Sequence, residues 1–182
     1  MKTVISIVAI LLIATATAGL LVYFTMTSES PEMLSAAERA VIINEAMSGN
    51  KGINLDDEGR SSDWVELYNP SEEAVNLGRF SLSDDGTELD RWTFPDITLS
   101  PHDFLVIYLS GDSKKETGSG SLHASFKLNA KGERLILSAG GNIVDSIDLP
   151  ALPDNLSYGR VGNDWVLIEN PTPGEPNDGS AG

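Results

Sequence analysis

From Val41 onward, apolar runs only a few residues long alternate with turn residues, and no stretch sustains helical periodicity over three turns. The runs are Val41–Ala46, Trp64–Asn69, Val75–Ser83, Arg91–Phe94, Phe104–Leu109, Leu122–Lys127, Arg134–Ser138, Ile143–Leu149, Leu156–Arg160 and Trp165–Ile168. Between them stand Asn69-Pro70, Asp85-Gly86, Ser100-Pro101, Ser110-Gly111, Lys131-Gly132, Gly140-Gly141-Asn142 and Gly162-Asn163. Many short strands at this spacing predict an all-β sandwich or barrel, and a sandwich of about seven to nine strands accounts for the segment. Period-2 alternation puts Val65 and Leu67 on one face of their strand and Trp64, Glu66 and Tyr68 on the other. Val75 and Leu77 are out of phase with Phe80 and Leu82, and a bulge at Gly78 would return all four to the core side. Phe104–Leu109 is apolar on both faces, which predicts a central strand covered on both sides. Arg134–Ser138 and Ile143–Leu149 read as a hairpin across Ala139-Gly140-Gly141-Asn142.

Ahead of this lies Val4–Met26, a run without a single charge. It is long enough, as a helix, to cross a hydrocarbon core of about 30 Å. Tyr23 sits near its far end, Lys2 precedes it, and Glu29 and Glu32 come after it. The positive-inside rule then places the N-terminus in the cytoplasm and the rest outside. The competing reading is a cleaved signal peptide, since Ala16-Thr17-Ala18 has the small-x-small pattern of a cleavage site. Leu20–Phe24 continues apolar beyond it, which favours an uncleaved anchor; either reading exports the folded domain. The expected organisation is a transmembrane anchor over 1–27, a stalk over 28–40 that is helical across Met33–Ala40, a folded domain over 41–177 and a disordered tail over 178–182.

The chain has no cysteine, which removes disulfides, thiolate metal sites and cysteine nucleophiles. Its formal charge is -15, and Lys2 is the only charged side chain up to the end of the apolar run. A surface this acidic repels phosphate backbones, so nucleic acid is not an expected partner.

Several stretches together resemble a known family: Ile42-Ile43-Asn44-Glu45-Ala46, then Asp63-Trp64-Val65-Glu66-Leu67-Tyr68-Asn69-Pro70, then Val75-Asn76-Leu77-Gly78 and Phe80-Ser81-Leu82-Ser83-Asp84-Asp85. Near the C-terminus stands Asn170-Pro171-Thr172-Pro173-Gly174-Glu175-Pro176-Asn177. In this order they resemble the lamin tail domain as it occurs in prokaryotic surface and secreted proteins. The resemblance implies an immunoglobulin-like sandwich serving as an interaction module, without chemistry of its own. No heptad-rich rod precedes the domain, so a filament role does not carry over. Fold analogy supports architecture better than function.

Most motif residues have structural readings. Asn44 and Asp63 suit backbone bonds at strand ends, Trp64 a large apolar site, and Asn69-Pro70 a turn. Gly78, Pro171, Pro173 and Gly174 belong with these. Glu66, between two aromatic residues, needs a donor if its face is covered, and Arg91, Arg79 or a backbone amide are candidates. Glu45 and Glu66 together are an alternative cation pair.

Catalytic signatures are sparse. A serine triad needs a histidine bonded to both nucleophile and acid, and only His102 and His123 are present. No nucleophile elbow, HExxH, P-loop or dinucleotide fingerprint occurs. Asn54, Asp56 and Glu58, with Gly59 after them, imitate the first half of a calcium loop. Val65 stands where the bidentate glutamate belongs, and Glu66 misses by one position. No cofactor is expected, calcium being the weak candidate. The leading expectation is a non-catalytic, membrane-anchored, extracytoplasmic module binding a surface protein or glycan. The alternatives are a calcium-stabilised spacer of the envelope and a carbohydrate-active enzyme using two carboxylates.

Overall fold

A computed structural model describes residues 8–10, 25–27, 33–115 and 120–178 of the chain. It divides into two compact units, Met1–Met33 and Leu34–Gly182. In the first, β1 (Val8–Ile10) and β2 (Thr25–Thr27) pair antiparallel, with Val8 opposite Thr27. Most of the anchor expected across Val4–Met26 lies outside the described residues, and the two pieces that are described are strands rather than helix. Both are rich in β-branched side chains, which lose rotamer freedom in a helix and sit well on a pleated surface. Among the described residues no helix is long and apolar enough to cross a membrane. Of the expected tail, only Asp178 is described.

The second unit opens with a short helix, α1 (Ala36–Ala40). Its start is a capping box: the Ser35 hydroxyl accepts the Glu38 amide at 3.1 Å, and the Glu38 carboxylate accepts the Ser35 amide at 2.6 Å. Ala37 is buried in the main core, so this part of the expected stalk packs onto the sandwich.

The strands come next, in the order β3 (Ile42–Met47), β4 (Asp63–Tyr68), β5 (Val75–Asn76), β6 (Phe80–Ser83), β7 (Trp92–Thr93) and β8 (Thr98–Leu99). Then come β9 (Phe104–Leu109), β10 (Leu122–His123), β11 (Glu133–Ala139), β12 (Asn142–Leu149), β13 (Ser157–Val161) and β14 (Asp164–Ile168). They form a six-stranded sheet, β10-β9-β4-β3-β13-β14, a four-stranded sheet, β12-β11-β6-β7, and a separate β5-β8 pair. Apart from the parallel β10–β9 contact, neighbouring strands run antiparallel. The all-β expectation holds. The strands outnumber the expected seven to nine because β5, β7, β8 and β10 are two-residue pieces.

Ile43, Val65, Leu67 and Ile107 of the large sheet meet Phe80, Leu82, Leu135 and Leu137 of the smaller one in a single core. Each fully buried aliphatic or aromatic side chain in it stabilises the fold by roughly 1.5–3 kcal/mol. The expected hairpin is present as β11–β12, turning at Gly140 and Gly141, whose φ angles of 54° and 77° suit the tight turns that match strand twist. The expected bulge at Gly78 is instead a turn: the Phe80 amide donates to the Leu77 carbonyl at 2.8 Å, and the chain passes from the β5–β8 pair into the four-stranded sheet. Val75, Leu77, Phe80 and Leu82 all end up buried, because changing sheets resets the phase as a bulge would.

The bulge that matters lies on β3. Ile43 pairs with Leu67, but the next pair is Glu45 with Glu66, leaving Asn44 as the extra residue. Ile43 and Ala46 therefore both enter the core, while Asn44 and Glu45 meet Glu66 on the outer face of the sheet.

Candidate functional site: a strapped carboxylate pair and an aromatic groove

Three strands carry the site. Register partners across them put Ile42 of β3 beside Tyr68 of β4, and Tyr68 beside Phe104 of β9. The two rings stack at 4.6 Å between centroids and 21° between planes. β9 is interior in strand order, yet its first half is only half-buried, so the expectation of cover on both faces holds only for Ile107–Leu109. The uncovered end opens a groove of about 440 Å³ lined by Ile42, Tyr68, His102 and Phe104 together with Pro176 and Asn177. His102, in the turn before β9, has φ of 56°, and its Nε2 lies 3.2 Å from the exposed Glu72 carboxylate.

Beside the groove the C-terminal segment crosses the outer face as a strap over Glu45 and Glu66, both fully buried. Glu66 accepts the Asn44 side-chain amide at 2.8 Å and the Gly174 backbone amide at 2.5 Å. Glu45 accepts the Ser157 hydroxyl, and the Thr172 amide at 3.4 Å. The Asn177 side-chain amide donates to the Asn44 carbonyl at 3.1 Å and the Arg160 carbonyl at 3.0 Å, and its oxygen accepts the Thr172 hydroxyl at 2.9 Å. Of the candidate donors for Glu66, the backbone amide is the one used. Arg91 pairs with Asp84, and Arg79 bonds Glu38. Pro171 and Pro173 stiffen the strap on either side of Thr172, and Gly174, at φ 88°, turns its amide onto Glu66.

Burial pushes the Glu66 carboxyl up to about 7; the Gly174 and Asn44 donors oppose the shift, and the Glu45 and Glu175 charges add to it. Burial raises Glu45 too, against the bonds from Ser157 and Thr172. Two acids side by side in a dry layer favour retaining a proton over carrying two charges. The nearby guanidinium is engaged elsewhere: Arg160 is held by Asp145 at 2.8 and 2.9 Å and donates to the Ile43 carbonyl.

The remaining motif residues make contacts within the fold. Asp63 accepts the Gly49 amide at 2.8 Å, as expected at a strand end, whereas Asn44 bonds a carboxylate through its side chain. Trp64 fills an apolar site with Met47, Tyr108 and Val106. Asn69, fully buried, donates to the Glu73, Leu99 and Ser100 carbonyls and so fastens the turn that Pro70 continues.

The calcium candidates do not assemble. Asp56 is enclosed by the Glu58 and Arg60 amides, the Arg60 guanidinium and the Ser62 hydroxyl, at 2.8–3.0 Å. Burial works against its charge, but these donors outweigh burial and hold its pKa below the usual range. Glu58 pairs with Arg60 and Lys114, the Asn54 carbonyl accepts the Asn50 side-chain amide, and Glu66 lies under the strap. Among the described residues no three acidic or histidine side chains converge as metal ligands. The Arg60 guanidinium already pairs with Asp56, Glu58 and Asp112.

His123 has a geometry that the sequence alone did not reveal. Ser110 Oγ lies 2.9 Å from its Nδ1 and Asp57 Oδ1 lies 3.0 Å from its Nε2. The ring is fully buried and stacks on Tyr108 at 5.5 Å, and the Ser110 hydroxyl accepts the Asp112 amide. These bonds tie the loop holding Asp57 to the end of β9 and to β10.

Among curated proteins none matches the chain. A family model described as the lamin tail domain matches residues 35–150. The matched stretch runs from the helix cap at Ser35 to the end of β12, ahead of β13, β14 and the strap, and this chain belongs to the lamin tail domain family.

Proposed function

We propose that this is a non-catalytic, membrane-anchored, extracytoplasmic protein whose lamin tail domain binds a surface protein or glycan through the groove on its outer sheet face. The observation that carries the reading is the half-buried Tyr68–Phe104 stack lining a groove of about 440 Å³ beside the strap. Aromatic rings left accessible at a concave site offer apolar area and polarisable faces at low conformational cost. The family's immunoglobulin-like architecture supports a module without chemistry of its own. The uncharged run Val4–Met26, with Lys2 before it and acidic residues after it, supports the anchor and its orientation.

The test compares the wild-type chain with a Tyr68→Ala/Phe104→Ala variant in pull-downs from detergent-solubilised envelopes and on a glycan array. The reading expects a defined protein or glycan held by the wild type and lost by the variant. An identical set held by both refutes it.

A further inference from the structure

We infer that the groove receives an extended basic segment of a partner protein, with an arginine or lysine side chain laid against the Tyr68–Phe104 pair. This rests on the interaction-module reading and names its partner's chemistry. The floor is a row of register partners, Ile42, Tyr68 and Phe104, so strand geometry rather than loop conformation sets its shape. Carboxylates adjoin its lining residues from three separate segments: Glu72 pairs with His102 at 3.2 Å, Asp103 precedes Phe104 in the chain, and Glu175 precedes Pro176 on the strap. All three are exposed. Arg160, also at the groove, is committed elsewhere: its guanidinium forks onto Asp145 and lies 4.6 Å from the Trp165 ring centroid.

Aromatic faces with nearby carboxylates suit a cation on an apolar stem, which gains both cation–π and Coulomb attraction. The formal charge of -15 adds a long-range field that draws such a partner and repels an acidic one. A neutral sugar is a poorer fit, because it needs planar polar side chains to bond its hydroxyls. Asn177 gives both amide hydrogens to the Asn44 and Arg160 carbonyls, and Asn44 is buried with its amide on Glu66.

The test is isothermal titration calorimetry on the full chain in non-ionic detergent micelles. The probes are a short Gly-Arg repeat peptide, its Gly-Glu counterpart, spermidine and a chitin oligosaccharide. The inference expects binding of the Gly-Arg peptide alone, weakening as salt is raised. Tyr68→Ala should weaken it by about fivefold through loss of one aromatic face. Glu72→Gln/Asp103→Asn changes only exposed carboxylates, and should weaken binding while leaving the melting temperature in place. No peptide binding, equal binding of the Gly-Glu peptide, spermidine as tight as the peptide, or indifference to both variants overturns the inference. If the oligosaccharide binds instead and Tyr68→Ala abolishes that, the basic partner is refuted and the module reading survives. The module reading falls separately, when envelope capture is unchanged in the Tyr68→Ala/Phe104→Ala variant.

Discussion

A carboxyl group that keeps its proton up to about pH 7 makes stability depend on pH in a direction that can be worked out from Glu66. The unfolded chain releases this proton near 4.5, the folded chain near 7. Between those values the folded state holds a proton that the unfolded state has lost. Stability from this group is therefore fully present below about 4.5, falls as pH rises through the window, and is flat above it. Glu66→Gln keeps the shape and removes the titration. Urea unfolding at pH 5 and pH 8 should show the wild type losing stability between them, by up to about 3 kcal/mol from this group. The variant should lose correspondingly less. An equal loss in both would mean that the Glu66 pKa is not raised in the folded chain. The need for a donor at Glu66 was legible, because period-2 alternation sets it between Trp64 and Tyr68. A backbone amide was among the candidates, but which residues would donate was not legible. Gly174 is 108 residues away in sequence, and Asn44 reaches Glu66 only through a bulge that no glycine marks.

Among the elements, the strap depends on a contact that only glycine permits. A Cβ on Gly159 would lie 2.5 Å from the Ile168 side chain and 2.7 Å from the Asn177 amide nitrogen. Ile168 can turn aside, whereas Asn177 is fixed by two carbonyls and by Thr172. Gly159→Ala should therefore lift the strap at Asn177. Hydrogen exchange at the Gly174 amide should speed up by about tenfold or more while β11 amides keep their protection. The Glu66 titration should move down toward the ordinary carboxylate range as water reaches it. Unchanged exchange at Gly174 would show that the strap holds without Asn177. In the loop before β4, Asp56→Ala strips four donors of their shared acceptor and should lower stability by about 2–3 kcal/mol. Calcium should leave the wild-type melting temperature where chelator leaves it, because Arg60 occupies the carboxylate. A rise at millimolar calcium would refute that. The hairpin and most strand positions could be read from runs and turns, since neighbouring residues determine them. The sheet switch at Gly78 could not, because a bulge and a turn leave the same phase shift in the sequence. Nor could the Ser110–His123–Asp57 trio, which joins residues 66 apart between Asp57 and His123.

For the whole molecule, the proposed membrane anchor can be set against adsorption through the acidic domain. The domain's charge repels anionic lipid heads, so peripheral adsorption through it is unfavourable. On the proposed reading attachment comes from Val4–Met26, whose uncharged length suits a bilayer core as a helix. A spanning segment is removed only by dissolving the bilayer, whereas an adsorbed protein leaves in alkaline carbonate or high salt. The full chain should therefore stay with the membrane pellet in carbonate and in salt, and move to the supernatant in detergent. With one lysine ahead of the run and acidic residues behind it, protease added outside intact cells should digest the lamin tail domain and spare a tag at the N-terminus. A version cleaved after Ala18 would instead appear in the medium, shortened at its N-terminus. Intact chain recovered in the carbonate supernatant would exclude a spanning anchor.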